Sequence, residues 1–393
     1  MNKSLKIALG SFVMLMSGLM YSWSVLSIPI KEELTHISQG SMSMVFTLAM
    51  ALFCLGGLVT GILKTRAKGS LAVVIALIMM PTGYFMTSKA NNAIGLFIGY
   101  GFLVGFSVGI IYTYILSNLT NLIPGKQGLI SGILLFGFGM SSMIFGPLYT
   151  KLISSGFADW RELFRYFSVL IFVIMLIVLF FIKDENIKRD LSEKDSFSVE
   201  PKDMLKTNVF KIYFIWALIY TAIGIAIISQ GANIMKLSIP SSPESLIALF
   251  IGILSISNGF GRIIVGYIFD KYGFVKSMLI VGIMAASSQL IMMLNMKLGM
   301  TILMLIAFIL LGLSYGGVPS NNSAFIIRLF GEKYYSMNLS YLNLNILIAS
   351  FASVISGNLY DNTGSYIPTF AITLILSAIG IALVFMIEKK AKA

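Results

Sequence analysis

Apolar residues in this chain gather into runs of about 20, separated by short polar stretches, and that is the length at which a helix crosses bilayer hydrocarbon. Runs over 5–30, 42–63, 71–87, 94–116, 129–152 and 163–182 make six, and runs over 210–235, 246–269, 275–294, 300–319, 335–360 and 367–387 make six more. Hydrocarbon offers the backbone no hydrogen-bond partner, so a spanning segment is either a helix or a strand of a closed barrel. These runs are far longer than a barrel strand of about 10 residues. The pattern predicts an all-α membrane protein with twelve transmembrane helices. The first run has no small-residue cleavage site before Tyr21, which predicts a retained helix rather than a removed leader.

Composition agrees with this reading. The chain is 57% hydrophobic and 11% charged, with a mean hydropathy of +0.91, whereas a soluble domain carries roughly 25% charged residues. A net charge of +12 suggests nucleic acid only where the basic groups form one soluble patch, and here they are scattered among short loops. If both termini are cytoplasmic, the inner segments hold 20 Lys or Arg and the outer ones 7, the bias expected of a multi-pass protein of the cell's inner (plasma) membrane. The stretch 183–207 mixes six basic with seven acidic residues and lacks apolar periodicity, so 183–209 reads as a hydrated cytoplasmic linker. It separates a six-helix bundle over 1–182 from another over 210–393. Gly61-Ile-Leu and Gly266-Tyr-Ile, 205 residues apart, end the second span of each half, and such duplicated halves are an architecture of alternating-access carriers.

Few residues carry chemistry inside the spans. No Asp or Glu lies mid-span, the lone His36 falls in the first outer loop, and Cys54 has no partner. Acid–base catalysis and metal binding therefore lack their usual residues, so neither a catalytic site, a metal site nor a cofactor is expected. Arg262 is the exception: a basic residue inside span eight, where a guanidinium costs at least about 2.5 kcal/mol. Ser255, Asn258, Gly259, Arg262 and Gly266 share one helix face, giving the arginine a small polar stripe. Two readings stand. Arg262, about 6 Å toward the cytoplasm from the middle of the span, snorkels or braces the loop below; or its fork of donors receives a carboxylate in a geometry that Lys could not reproduce. Tyr21 and Trp23 in span one, Tyr112 and Tyr114 in span four and Tyr315 in span ten either wall a site for a small acid or pack helices together.

Gly266-Tyr-Ile-Phe-Asp270-Lys271-Tyr-Gly273 resembles the loop signature of the major facilitator superfamily, and its counterpart Gly61-Ile-Leu-Lys-Thr65-Arg66 has Thr65 where that family carries Asp. Tyr21-Ser-Trp23-Ser-Val25, Ile123-Pro-Gly-Lys-Gln-Gly128-Leu-Ile-Ser-Gly132 and Asn258-Gly-Phe-Gly-Arg262 narrow the resemblance to the branch of oxalate/formate antiporter-like and monocarboxylate transporters. The resemblance implies two pseudo-symmetric six-helix bundles in the major facilitator fold. It also implies an arginine at Arg262 that binds the substrate carboxylate, aromatic pocket residues at Tyr112 and Tyr315, and a gating motif at Gly266, Asp270, Lys271, Gly273 and Arg66. The oxalate carriers of that family pair the arginine with a lysine in span eleven. Here 335–360 holds no Lys or Arg, and its Asn338, Asn343 and Asn345 are neutral, so a monoanion fits the charge count better.

The expected function is secondary active transport of a small organic anion, a mono- or short dicarboxylate, by alternating access. Arg262, Tyr112, Tyr315, Asn258, Tyr21, Trp23 and Asn345 are the candidate substrate-binding residues. Exchange and substrate/proton symport both fit, and the expected partners are the anion and the lipid bilayer, with the protein a monomer and no nucleic acid involved. The rivals are a carrier of an inorganic anion or neutral solute, and a non-transporting sensor on the same scaffold.

Overall fold

The protein is described by a computed structural model covering residues 2–66, 69–182 and 198–391. Twelve helical stretches among these residues are long and apolar enough to cross a membrane, and no strand is present among them. Span one is broken into α1 (Lys3–Ser17), a 3-10 turn (Gly18–Ser22) and α2 (Trp23–Glu33). Next come α3 (Gln39–Arg66) and α4 (Gly69–Ser88); span four then joins α5 (Ala93–Leu96), a π-helical stretch (Phe97–Val104) and α6 (Gly105–Leu119). The helices α7 (Gln127–Ser154) and α8 (Trp160–Phe181) finish the first six spans. After the short α9 (Pro201–Met204), span seven comprises α10 (Asn208–Ile228) and α11 (Gly231–Ser238). The remaining spans are α12 (Glu244–Tyr272), α13 (Phe274–Leu298), α14 (Thr301–Phe330), α15 with α16 (Tyr335–Ala349 and Phe351–Thr363), and α17 (Ile367–Ala391).

Where the spans break, neighbouring side chains take up the backbone groups. The 3-10 turn in span one disturbs the helical ladder, and the Tyr100 hydroxyl, from the π-helical stretch of span four, donates to the carbonyls of Leu19 (3.3 Å) and Met20 (3.0 Å). Span ten is longer than the apolar run that predicts it. The run stops at Pro319, but α14 continues to Phe330 because the polar residues beyond the proline find partners inside the protein. Ser277 donates to Asn321 Oδ1 at 2.6 Å, Tyr213 donates to Asn322 Oδ1 at 3.0 Å, and Ser320 donates to the Arg262 carbonyl at 2.7 Å.

The chain forms two compact units. The first comprises Met1–Leu122, Gly137–Val199 and Phe330–Tyr341; the second comprises Ile123–Phe136, Glu200–Leu329 and Leu342–Ala393. Within each unit, glycine lets helices approach closely. In the second unit a methyl group built on Gly128 would lie 2.4 Å from the Gly266 carbonyl oxygen, and one on Gly132 would lie 2.3 Å from that of Arg262. The start of α7 thus rests backbone to backbone on α12. In the first unit a methyl group on Gly61 would lie 2.7 Å from Met337 Cα.

Residues 183–197 of the expected linker lie outside the described residues. The rest is more ordered than a hydrated linker: Val199 N–H donates to the Phe330 carbonyl at 3.0 Å, and Pro201 and Met204 are buried. In the loops after spans one, three and five of the first unit, Arg161 donates to Glu33, to the carbonyls of Ser88 and Ala90, and to Asn91 Oδ1, while Trp160 Nε1 donates to Glu33 at 2.6 Å. Hydrogen bonding from Arg161, helped by Trp160, holds the Glu33 carboxyl below its ordinary value.

Candidate functional site

Arg262 lies on α12 and is only 7% exposed. Its Nη1 donates to the Leu135 carbonyl of α7 at 2.7 Å, a contact made possible by the close approach at Gly132. That carbonyl accepts the proton without bringing a charge of its own. One turn earlier, Asn258 lies against α14, where a methyl group on Gly316 would be 1.9 Å from the Asn258 carbonyl oxygen. The Asn258 Oδ1 is buried with no hydrogen-bond partner. Tyr315, next to Gly316, is half-buried. The second unit therefore gathers Asn258, Arg262 and Tyr315 around the meeting of α12 and α14.

Asn345 is in the same unit but already engaged: it is fully buried, its Oδ1 accepts from the Thr221 hydroxyl at 3.1 Å, and its Nδ2 donates to the Leu342 carbonyl at 2.6 Å. Both ends of the amide are used within the protein.

The first unit gathers Tyr21 and Tyr112. Their rings meet Phe138 edge-on, with centroids 5.2 and 5.3 Å away, and Phe53 (5.0 Å from Tyr112) and Phe46 (6.1 Å from Tyr21) extend the cluster. Trp23 points elsewhere: it packs on Tyr100 at 4.3 Å and its Nε1 donates to the Met42 carbonyl at 2.9 Å. Tyr114 likewise serves the packing, donating to the Ile182 carbonyl at 2.8 Å.

The loop signature has a defined role. The helix α7 begins after Lys126, whose side chain accepts no hydrogen bond, so its first-turn N–H groups need an outside partner. Asp270 supplies it, with Oδ1 accepting from Gly128 N–H at 2.8 Å and Oδ2 from Leu129 N–H at 2.7 Å. Gly266 is where α12 touches Gly128, and Gly273 closes α12 at φ +85°, a conformation that favours glycine. Lys271 extends over the rings of Tyr267 and Tyr272 at 5.6 and 5.1 Å. Arg66 ends α3, and its side chain lies outside the described residues.

A sequence model described as Major Facilitator Superfamily matches residues 7–349, most of the chain. The chain belongs to the major facilitator superfamily. It is therefore a member of a family of membrane transporters that carry small molecules, with twelve spans in the fold of that family. It is 24% identical over 387 residues to the oxalate:formate antiporter of Oxalobacter formigenes, covering 94% of this chain and 87% of that protein. It is 22% identical over 342 residues to the MFS-type transporter YhjX of Escherichia coli strain K12, covering 85% and 82%. Among solved structures, the fold is similar to that of the transporter FucP in its outward conformation (TM-score 0.68, 16% identity, 98% of each chain). It is also similar to that of the proton:xylose symporter XylE (TM-score 0.70, 12% identity, 99% and 96%).

Sequence reasoning missed Thr221, Gly224, Phe138 and the Leu135 carbonyl. A carbonyl has no sequence signal, and a Thr or Gly inside an apolar span is too common to single out. The polar run Ser320-Asn-Asn-Ser323 after Gly316-Gly-Val-Pro319 was the available signal for the braces of α14.

Proposed function

We propose that this protein is a secondary carrier, not an enzyme, that moves a small organic anion across the inner membrane with both termini cytoplasmic. Arg262 receives the carboxylate. The observation that carries this reading is the burial of Arg262 within a span, beside a half-buried tyrosine and an unpartnered amide oxygen. A guanidinium kept there at a cost of at least about 2.5 kcal/mol offers a carboxylate a fork of donors in fixed geometry. Similarity to an oxalate:formate antiporter supports an anionic substrate. Because span eleven supplies asparagines where a second cation would be needed, one negative charge on the substrate is the better match. With no carboxylate mid-span to hold a proton, the coupling is exchange of one anion for another, or symport in which the substrate brings its own proton. The carrier works as a monomer, exposing the site to one side at a time.

A second reading rests on the Leu135 contact: Arg262 is a brace that ties span five to span eight. Counterflow in proteoliposomes of the purified protein tests the proposal. Vesicles loaded with unlabelled formate, lactate or oxalate are expected to accumulate the labelled acid transiently, with the monoanions preferred. Counterflow of labelled nitrate or sugar, with none for any acid, contradicts the proposal.

A further inference from the structure

The second unit contains a contact that the roles assigned so far leave unused, on span seven. A methyl group built on Gly224 of α10 would lie 2.0 Å from Cδ2, 2.5 Å from Cγ and 2.8 Å from Cε2 of Tyr315. These atoms include the root of the ring, fixed by the side chain's attachment to α14, so they cannot swing aside as the end of a flexible chain would. The ring lies directly on the backbone of α10, and only glycine leaves room for it there. Thr221, one turn earlier on α10 and 4% exposed, donates its hydroxyl to Asn345 at 3.1 Å. One stripe of span seven thus sets the positions of a ring from span ten and an amide from span eleven.

Tyr315 adjoins Gly316, where α14 meets the Asn258 carbonyl one turn before Arg262, so the place where its ring rests limits the space on that side of the crossing. We infer that Gly224 is a specificity-determining residue: by letting Tyr315 lie back against span seven, it fixes the length of acid that the Arg262 site accepts. This inference rests on the reading of Arg262 as the carboxylate anchor. Gly224 is a positioning residue acting through Tyr315. A methyl group there must regain ordinary contact of about 3.5–4.0 Å, so the ring has to move by roughly 1.5 Å, away from α10. That is about the length of one methylene, and one methylene of misfit in an apolar pocket changes selectivity by roughly 10-fold or more.

The test uses the full-length purified protein and unbranched monocarboxylates from formate to hexanoate, with affinities measured by calorimetry. In Gly224→Ala, the affinity for the longest acids accepted by the wild type is expected to fall at least about 10-fold relative to formate. Adding Tyr315→Ala to Gly224→Ala restores them. Tyr315→Leu alone, which leaves Gly224 in place and serves if Gly224→Ala fails to fold, extends the tolerated length. An equal loss for every acid in Gly224→Ala, no restoration in the double variant, or an unchanged length profile in Tyr315→Leu overturns the inference. If the wild type binds none of these acids, the carboxylate reading falls, and this inference with it. If it binds them with one profile in all variants, only the role of Gly224 falls.

Discussion

Replacing Asp270 should uncap span five. The carboxylate provides the acceptors for two first-turn N–H groups of α7, at 2.8 and 2.7 Å, where Lys126 provides none. Losing an N-cap side chain costs about 0.5–2 kcal/mol, and a negative charge at a helix N-terminus adds about 0.3–1 kcal/mol. Two charge-assisted bonds place Asp270→Ala near the top of that range, at about 2–3 kcal/mol. Asp270→Asn keeps one acceptor and loses the charge, so it should fall about midway. The assay is thermal unfolding of the purified protein in detergent, with Asp270→Glu as a third variant, whose longer stem misplaces the oxygens but keeps the charge. The expected order of stability is wild type, then Asn and Glu, then Ala. Equal melting of Asp270→Ala and wild type would refute the capping argument. A loss in Asp270→Asn as large as in Asp270→Ala would show that the charge, rather than the acceptor that Asn retains, carries the effect.

Three further outcomes follow from the packing. Gly132→Ala should destabilise by about 1–3 kcal/mol, because its methyl group meets the Arg262 carbonyl at 2.3 Å and backbone cannot swing away; unfolding in denaturant measures it, and wild-type stability would contradict the close approach. Tyr100→Phe should cost about 1 kcal/mol and loosen the 3-10 turn of span one, seen as faster hydrogen exchange at residues 18–23. The Glu33 carboxyl is held below its ordinary 4.5, so its link to Arg161 stabilises the loops it joins above that pH and is lost as the pH falls through the lowered native value. Glu33 is about half exposed, so the effect is small; Glu33→Gln should flatten the acid side of the stability–pH curve, and an unchanged curve would exclude this role.

The twelve helices were legible because each apolar run is long enough to cross hydrocarbon, a constraint that acts on composition alone. Span ten shows where that signal ends. Pro319 and the asparagines after it look like a boundary, but Asn321 and Asn322 are paired by Ser277 and Tyr213 from other helices, which no local pattern reveals. The same limit applies to the candidate site. Charge singled out Arg262, since an arginine inside a span is conspicuous against apolar neighbours. Aromatic type alone treated Tyr21, Trp23 and Tyr112 alike, yet Trp23 is anchored to Met42 and Tyr100 while the other two share Phe138. Asn345 was conspicuous as a polar group in a span, and its hydrogen bonds to Thr221 and Leu342 are invisible until the helices are placed. The approach of α7 to α12 was hidden for a similar reason: Gly128 and Gly132 announce a close approach without naming the helix approached.

The most direct test compares binding of labelled formate to wild type, Arg262→Lys and Arg262→Gln, with thermal unfolding measured on the same samples. If Arg262 receives the carboxylate, Arg262→Gln abolishes binding and Arg262→Lys weakens it at least about 10-fold, since a point charge cannot replace a bidentate fork. Binding that survives in Arg262→Gln while its melting temperature falls would mean that Arg262 only braces span five, and the account of the substrate would be wrong.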